Sequence, residues 1–505
     1  MYYIGLDIGT SGCKASVVDG VGSVVAYAHR AYGVLTPSPG HIEIDARIVW
    51  NKVKETLREA VINADNVGVK SEQLKALAVA SFGEAVVLVS EDGEPLEPSI
   101  YFSDIRGSEE VKDIAELIDG AALFKATGMP PNPMFSANKL LWINKHRPEI
   151  LDKTKYMMLF GDFITYKLTG ERVIDYSLAS RTMLFDVNEY KWSDRIIKLL
   201  GLPNDRFSTP TQAGTRIGPL LPNIASELGL SNTFTVVVGG HDQALAALGS
   251  GAIHQGEAID GMGSSECITA VIDKVDDIDK MVEYSFCREP HVFPGTYISL
   301  AFNASAGTAI SWCKDKFFSA EAKIAESKGE KIYRIMDKTC SEEPTSLLCL
   351  PFVGGSGTPY FDFEIGATIV GMTLTTDVSQ IYKSILEGIC FELRFNIELL
   401  DSLNIAPNEI RVVGGSSQSD VMMQIKADIL NREVHVLKNW EIGTVALSSL
   451  CAMSMGEAGV TLENARANTS VDRIYKPNEK RAEVYNKKME QYRNLYSSIK
   501  NLAKI

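Results

Sequence analysis

A chain of 505 residues is too long for a single hydrophobic core and predicts two large domains. Its 45% hydrophobic and 23% charged content is that of an ordinary globular protein. A formal net charge of -14 argues against a nucleic-acid or anionic-membrane surface, both of which require basic patches.

The chain begins with an apolar run, Tyr2 to Leu6, that reads as a buried strand closed by Asp7. A carboxylate there is costly to bury unless something binds beside it. Gly9-Thr10-Ser11-Gly12 follows, with Lys14 just beyond. Strands are predicted at Lys14–Val18 and Ser23–His29, joined through the Asp19-Gly20 turn. Apolar residues at 50, 53, 57, 60 and 61 have helical spacing. Leu74–Ser81 and Ala85–Val89 read as short strands, and residues 105–230 as mostly helical. The opening pattern then recurs. The strand Thr235–Gly239 leads into Gly240-His241-Asp242-Gln243, and two strands flank a Gly263-Ser264-Ser265 turn. A helix is expected around Ala306–Phe317, then a strand at Glu409–Val413 ending in Gly414-Gly415, and a helix from about Ser419 to Leu430. Each half thus carries a strand, a small-residue hairpin turn, a strand and helices, with the boundary expected near 245–255.

The eight cysteines form no C-x-x-C pair, so neither a zinc site nor a disulfide framework is signalled. Reduced thiols in a cytoplasmic protein are expected. No basic segment precedes the N-terminal run, so it does not read as a signal peptide, and no apolar stretch reaches membrane-spanning length.

Asp7 with Thr10, Ser11 and Lys14 has two readings: a phosphate hairpin in which Asp7 holds Mg²⁺ through water, or a tight hairpin whose Asp caps a turn. No nucleotide P-loop and no strand-to-helix dinucleotide fingerprint occurs. Asp242, just after a strand and two glycines, could take a proton from a substrate hydroxyl, or it could cap the helix that begins with Gln243, or both. A lone histidine such as His241 is more often structural. Gly263 and Ser264 form a second anion turn or only a hairpin. Gly414 and Gly415 could let a flat nucleotide lie on the backbone, or only permit a turn. Glu84, Asp104 and Arg106 could bind polyol hydroxyls, with a surface Asp104–Arg106 salt bridge as the competing reading.

Together these residues resemble the FGGY carbohydrate kinases along nearly the whole chain. Two signatures carry the resemblance: Met134-Phe-Ser-Ala-Asn-Lys-Leu-Leu-Trp142-Ile-Asn-Lys-His146, and the segment from Ala367 through Gly371 and Gln380 to Glu387. Leu168-Thr-Gly-Glu171, Gly239-Gly-His-Asp-Gln243 and Val412-Val-Gly-Gly415 also fit. The resemblance implies an α/β fold of two actin-like, ribonuclease H-like domains with a cleft between them, closing over ATP and sugar. It implies an acceptor and first-phosphate-loop domain over 1–246 and a nucleotide domain over 253–505. Asp7 would serve the Mg²⁺–phosphate site, and Thr10, Ser11 and Lys14 the first phosphate loop. Asp242 would be the general base, a role needing no strongly raised pKa. Gly263 and Ser264 would form the second phosphate loop, and Gly414, Gly415 and Ser419 the adenosine site. Glu84, Asp104, Arg106 and Gln243 would hold the acceptor. A homodimer is suggested by analogy with this fold class.

The acceptor strand departs from its relatives. Phe82 stands where many carry Gln, and Gly83 removes the Arg of glycerol kinases. Glycerol is therefore disfavoured and a neutral polyol or xylulose-like ketose expected. Glu84 would repel a sugar acid unless Arg106 compensates. The alternatives are a gluconate-type or signalling-molecule kinase, and a catalytically quiet ATP- and sugar-binding regulator. Intact Asp7, Thr10 and Asp242 speak against the regulator.

Overall fold

The computed structural model describes residues 1–500 except 440, 458 and 466–468. The chain divides into two compact units, and neither is one continuous stretch. The first comprises Met1–Ile253, Cys287–Ile298 and Glu441–Thr469, and the second comprises His254–Phe286, Ser299–Trp440 and Ser470–Ile505. Two segments beyond the expected boundary, 287–298 and 441–469, therefore group with the N-terminal residues.

In the first unit a six-stranded sheet is centred on Tyr2–Ile8. This strand pairs antiparallel with Gly12–Asp19, which pairs antiparallel with Val24–Ala31. On its other side it runs parallel to Leu74–Ser81, and that strand runs parallel to Thr235–His241. The central strands are apolar on both faces, as buried parallel strands must be. Ile4, Leu6, Leu77, Val79 and Val236 lie in one core with Val49, Val53 and Leu57 of the helix Ala46–Asn66. On the other face the helix Ile442–Ser454 lies so close to the central strand that a Cβ on Gly5 would stand 2.2 Å from the Thr444 carbonyl oxygen.

The second unit repeats this wiring. Glu257–Met262 pairs antiparallel with Glu266–Ile272 and parallel with Glu409–Gly414, which runs parallel to Val434–Leu437. Its hairpin stands on a buried cation. Lys426 Nζ is 2.6 Å from Glu266 Oε1 and also pairs with Asp260, with all three side chains fully buried. Burial pushes the Asp260 carboxyl up to about 7, against the pull of Lys426.

Most expected elements lie where the periodicity puts them. The strand expected over Ala85–Val89 is confined to Val87–Val89, because the backbone turns at Glu84, where φ is +66°. All eight cysteines are free thiols and six are buried. Among the described residues no helix is long and apolar enough to cross a membrane.

Two glycines give a test of this packing. A Cβ on Gly239 would stand 1.9 Å from the Val79 carbonyl oxygen, whereas one on Gly415 would meet nothing within 4 Å. Gly239→Ala should cost about 1–3 kcal/mol or more and lower the thermal midpoint by several degrees. Gly415→Ala should leave the midpoint unchanged. Differential scanning fluorimetry of both variants checks the contrast.

Candidate active site

Three carboxylates gather at one edge of the first unit's sheet, because three neighbouring parallel strands end there. Asp7 is the last residue but one of the strand Tyr2–Ile8, Glu84 follows Leu74–Ser81, and Asp242 follows Thr235–His241. The carboxyl ends of parallel strands are where open α/β sheets place ligands.

Asp7 faces Lys14 across the hairpin, with Oδ2 3.4 Å from Nζ. Lys14 also reaches Glu441 Oε2 at 3.2 Å, at the start of the returning helix. Partial burial works against the lysine's charge, but Asp7 and Glu441 outweigh it and raise its pKa. The loop between is a tight turn in which the Gly9 N–H donates to the Gly12 carbonyl at 2.9 Å, leaving Thr10 and Ser11 exposed. Tyr32 braces it, its hydroxyl donating to the Gly9 carbonyl at 2.5 Å. Asp7 Oδ1 is buried and accepts no hydrogen bond. That open oxygen fits a magnesium ion held through water. Mg²⁺ commonly keeps its waters and takes its other ligands from substrate phosphates.

Asp242 is the first residue of the helix Asp242–Ser250, and Gln243 the second. The alternative capping role of Asp242 is not formed: His241 occupies the cap position and no side chain there bonds the helix N–H groups. Asp242 instead points Oδ1 toward His241 Nε2 at 3.3 Å. Its pKa is pushed up to about 6, mainly by burial, with Asp7, Glu84 and Glu289 adding to the rise and His241 opposing it. The side chain keeps 27% of its surface open, so a substrate hydroxyl can reach it.

Glu84 is buried and paired with Arg181, whose Nε donates to Oε1 at 2.6 Å. The guanidinium also reaches Glu289 Oε2 at 3.3 Å. Its compensating cation is thus Arg181 and not Arg106. Gly83 makes this arrangement fit: a Cβ there would stand 2.8 Å from Arg181 Cγ. Phe82 is buried against Phe160 and Tyr101, with ring centroids 5.0 and 5.9 Å away.

The Asp104–Arg106 salt bridge forms, but it is buried rather than on the surface. Asp104 accepts from Arg106 Nη2 at 2.6 Å, from Nε at 2.9 Å, and from the backbone N–H groups of Arg106 and Ile42 at 2.7 and 2.5 Å. Despite burial, these donors hold its carboxyl below the usual range. Arg106 further donates to Glu43 at 2.8 Å. Lys139, in the first signature helix, donates to the carbonyls of Asp104 and Arg106. Burial lowers its pKa to about 8. This pair therefore holds a loop in shape.

In the second unit the Gly263-Ser264 turn sits on the N-terminus of the helix Gly307–Phe317. The Thr308 N–H donates to the Ser264 carbonyl at 2.9 Å, and a Cβ on Gly307 would lie 2.3 Å from the Gly263 carbonyl oxygen. Gly414, with φ +111°, allows the next strand to pass Met262, whose carbonyl oxygen would lie 2.2 Å from a Cβ. Ser419 caps the helix Asp420–Leu430 by accepting from the Met422 N–H at 3.0 Å. Gly263, Ser264, Gly415 and Ser419 all border one cavity of about 900 Å³, whose apolar wall includes Ile310, Ile332 and Met422. Within it Asp337 accepts from the Tyr382 hydroxyl at 2.8 Å, and burial raises the Asp337 pKa.

Sequence reasoning missed Arg181, Glu289, Glu441 and the cavity residues around Asp337. Only Lys139 carried a signal, as a cation inside a buried signature helix.

Two family models match the chain. Residues 2–249 match the FGGY family of carbohydrate kinases, N-terminal domain, and residues 262–452 match the C-terminal domain. A xylulose kinase of Staphylococcus epidermidis is 25% identical over 509 residues, covering 99% of this chain and 97% of that protein. A gluconokinase of Bacillus subtilis is 28% identical over 449 residues, covering 87% and 85%. The crystal structure of a ligand-bound xylulose kinase from Lactobacillus acidophilus superposes with a TM-score of 0.88 at 23% identity, over 99% of this chain and 98% of that one. The two-domain sugar-kinase fold expected from the sequence is therefore present. The chain belongs to the FGGY family of carbohydrate kinases.

Proposed function

We propose that this kinase transfers the γ-phosphoryl group of Mg-ATP to a hydroxyl of a sugar or polyol, with Asp242 as general base. The observation that carries this reading is Asp242 itself: a carboxylate at a strand end, beside Asp7 and Glu84, with part of its surface open. Asp242 takes the hydroxyl proton as the acceptor oxygen gains the phosphoryl group and ADP leaves. Phosphoryl transfer needs mainly positioning and charge neutralisation. Bound Mg²⁺ would supply part of that neutralisation, with Asp7 holding its water shell through the open Oδ1. Thr10, Ser11 and Lys14 line the first phosphate loop, and Gly263 and Ser264 the second. Gly415 and Ser419 border the adenosine pocket, with Gly414 just before them in the strand, and a cavity of about 900 Å³ is ample for it. The acceptor lies near Glu84 and Gln243, with Asp104 and Arg106 shaping the loop beside it. The first unit, with its segments 287–298 and 441–469, serves as the acceptor domain and the second unit as the nucleotide domain.

A xylulose-like ketose is the favoured acceptor, in line with the names of several relatives. Gluconate is the second reading. Arg181 compensates the Glu84 charge, which removes much of the repulsion a sugar acid would meet.

ADP release with Mg-ATP against xylulose, ribulose, fuculose, gluconate, erythritol, glycerol and no sugar tests the proposal. One acceptor should give clear turnover, lowered about 10²- to 10⁴-fold in Asp242→Asn. Turnover that survives this substitution would remove Asp242 from its role. No turnover with any acceptor would favour the regulator.

The pH profile follows from the Asp242 pKa of about 6. The ionised form is the base, so kcat should fall about tenfold per unit below that pH and level off above it. A profile flat down to pH 5 would contradict this.

A further inference from the structure

Between the acceptor region and the proposed base runs an unbroken line of charges, buried as far as the half-buried Asp242. Glu84 pairs with Arg181, Arg181 with Glu289, Glu289 with His241, and His241 with Asp242. The histidine geometry is informative. Nδ1 lies 2.7 Å from Glu289 Oε1 and Nε2 lies 3.3 Å from Asp242 Oδ1. Both ring nitrogens face carboxylates. A neutral imidazole would turn a lone pair toward one of them, whereas the doubly protonated ring donates from Nδ1 to Glu289 and sets its second N–H in ion-pair contact with Asp242. Charge leads to the same protonation state. With a neutral ring the line holds three carboxylates and one guanidinium, and an uncompensated second negative charge would be buried. With an imidazolium the signs alternate.

The backbone holds the ring in place. The His241 N–H donates to Ser177 Oγ at 2.9 Å, and Ser177 in turn donates to Asp175 at 2.7 Å. Glu289 sits on a short strand paired with Ile298, so its carboxylate is fixed from a third segment.

We propose that His241, kept as its cation by Glu289, is a positioning residue for Asp242, orienting the carboxylate and keeping it ionised at neutral pH. This rests on Asp242 being the base. The other groups facing the pair are Asp7, Glu84 and Tyr101 around Asp242, and Arg181 beside His241. Burial, and after it the three carboxylates Asp7, Glu84 and Glu289, push the Asp242 pKa up, and His241 is the cation that pulls it back. On the histidine, burial opposes the charge, but Glu289 and Asp242 overcome it and lift the pKa to about 9.

Two measurements test the proposal. The first is the kcat–pH profile of His241→Gln, which keeps a donor but no charge. Its acid limb should move up by about one to three pH units, the usual effect of losing a neighbouring cation. Its activity, depressed at pH 7, should recover at pH 9. A lowered kcat with an unmoved limb would make His241 only structural and overturn the proposal. The second keeps the question answerable should that variant not fold: ¹⁵N-histidine NMR of the unaltered enzyme. The His241 ring should stay doubly protonated through pH 7.5 and titrate near 9. A ring that is neutral at pH 7 would overturn the proposal. Asp242→Asn separates the two ideas. Full activity in that variant would refute the base itself, whatever the NMR titration reports.

Discussion

The active-site arrangement depends on holding several carboxylates close together, wholly or partly buried, with cations between them. Asp7, Glu84, Glu289 and Asp242 come from four segments of the first unit, and none could stay ionised alone in an apolar surrounding. Cations are interleaved among them: Lys14 at Asp7, Arg181 between Glu84 and Glu289, His241 between Glu289 and Asp242. The compensation at Asp242 is incomplete. Its carboxyl remains raised, to about 6, so it is ionised at neutral pH yet more basic than an exposed aspartate. For the general base we propose, this is a favourable compromise.

The backbone provides the convergence. Parallel strands ending at one edge bring Asp7, Glu84 and Asp242 to a common side, and close strand spacing is bought with glycine. Gly5 admits the helix beneath the central strand, Gly239 admits Val79, and Gly83 admits Arg181. The second unit uses the same wiring for a different task. Its hairpin turn rests on a helix N-terminus and on the buried Lys426, and faces a cavity rather than a line of charges.

Much of this was legible in the sequence where chemistry and local pattern coincide. Asp7 was conspicuous as a carboxylate closing an apolar strand before a glycine-rich turn, and Asp242 as an acid after a strand and two glycines. The helix expected from about Ser419 to Leu430 is present as Asp420–Leu430, and Ser419 is its cap. What escaped notice are contacts between distant segments. Glu84 and Arg181 are 97 residues apart, and Arg181 and Glu289 another 108, with no local periodicity to join them. The Asp104–Arg106 pair was visible, but its burial was not, because Ile42, Glu43 and Lys139 close over it from elsewhere. The family signatures supply scaffold as well as site. Asp377 and Gln380 form a capping box, and Glu387 accepts from Tyr485 at 3.0 Å deep in the second unit.

The central claim is that Asp242 is a raised but ionised carboxylate in the resting enzyme. It is tested most directly by ¹³C NMR titration of protein labelled at the aspartate carboxyl carbons, with Asp242→Asn assigning the resonance. The account predicts that Asp242 titrates near 6. Titration near 4, as for an exposed aspartate, or a carboxyl still protonated at pH 8, would contradict it.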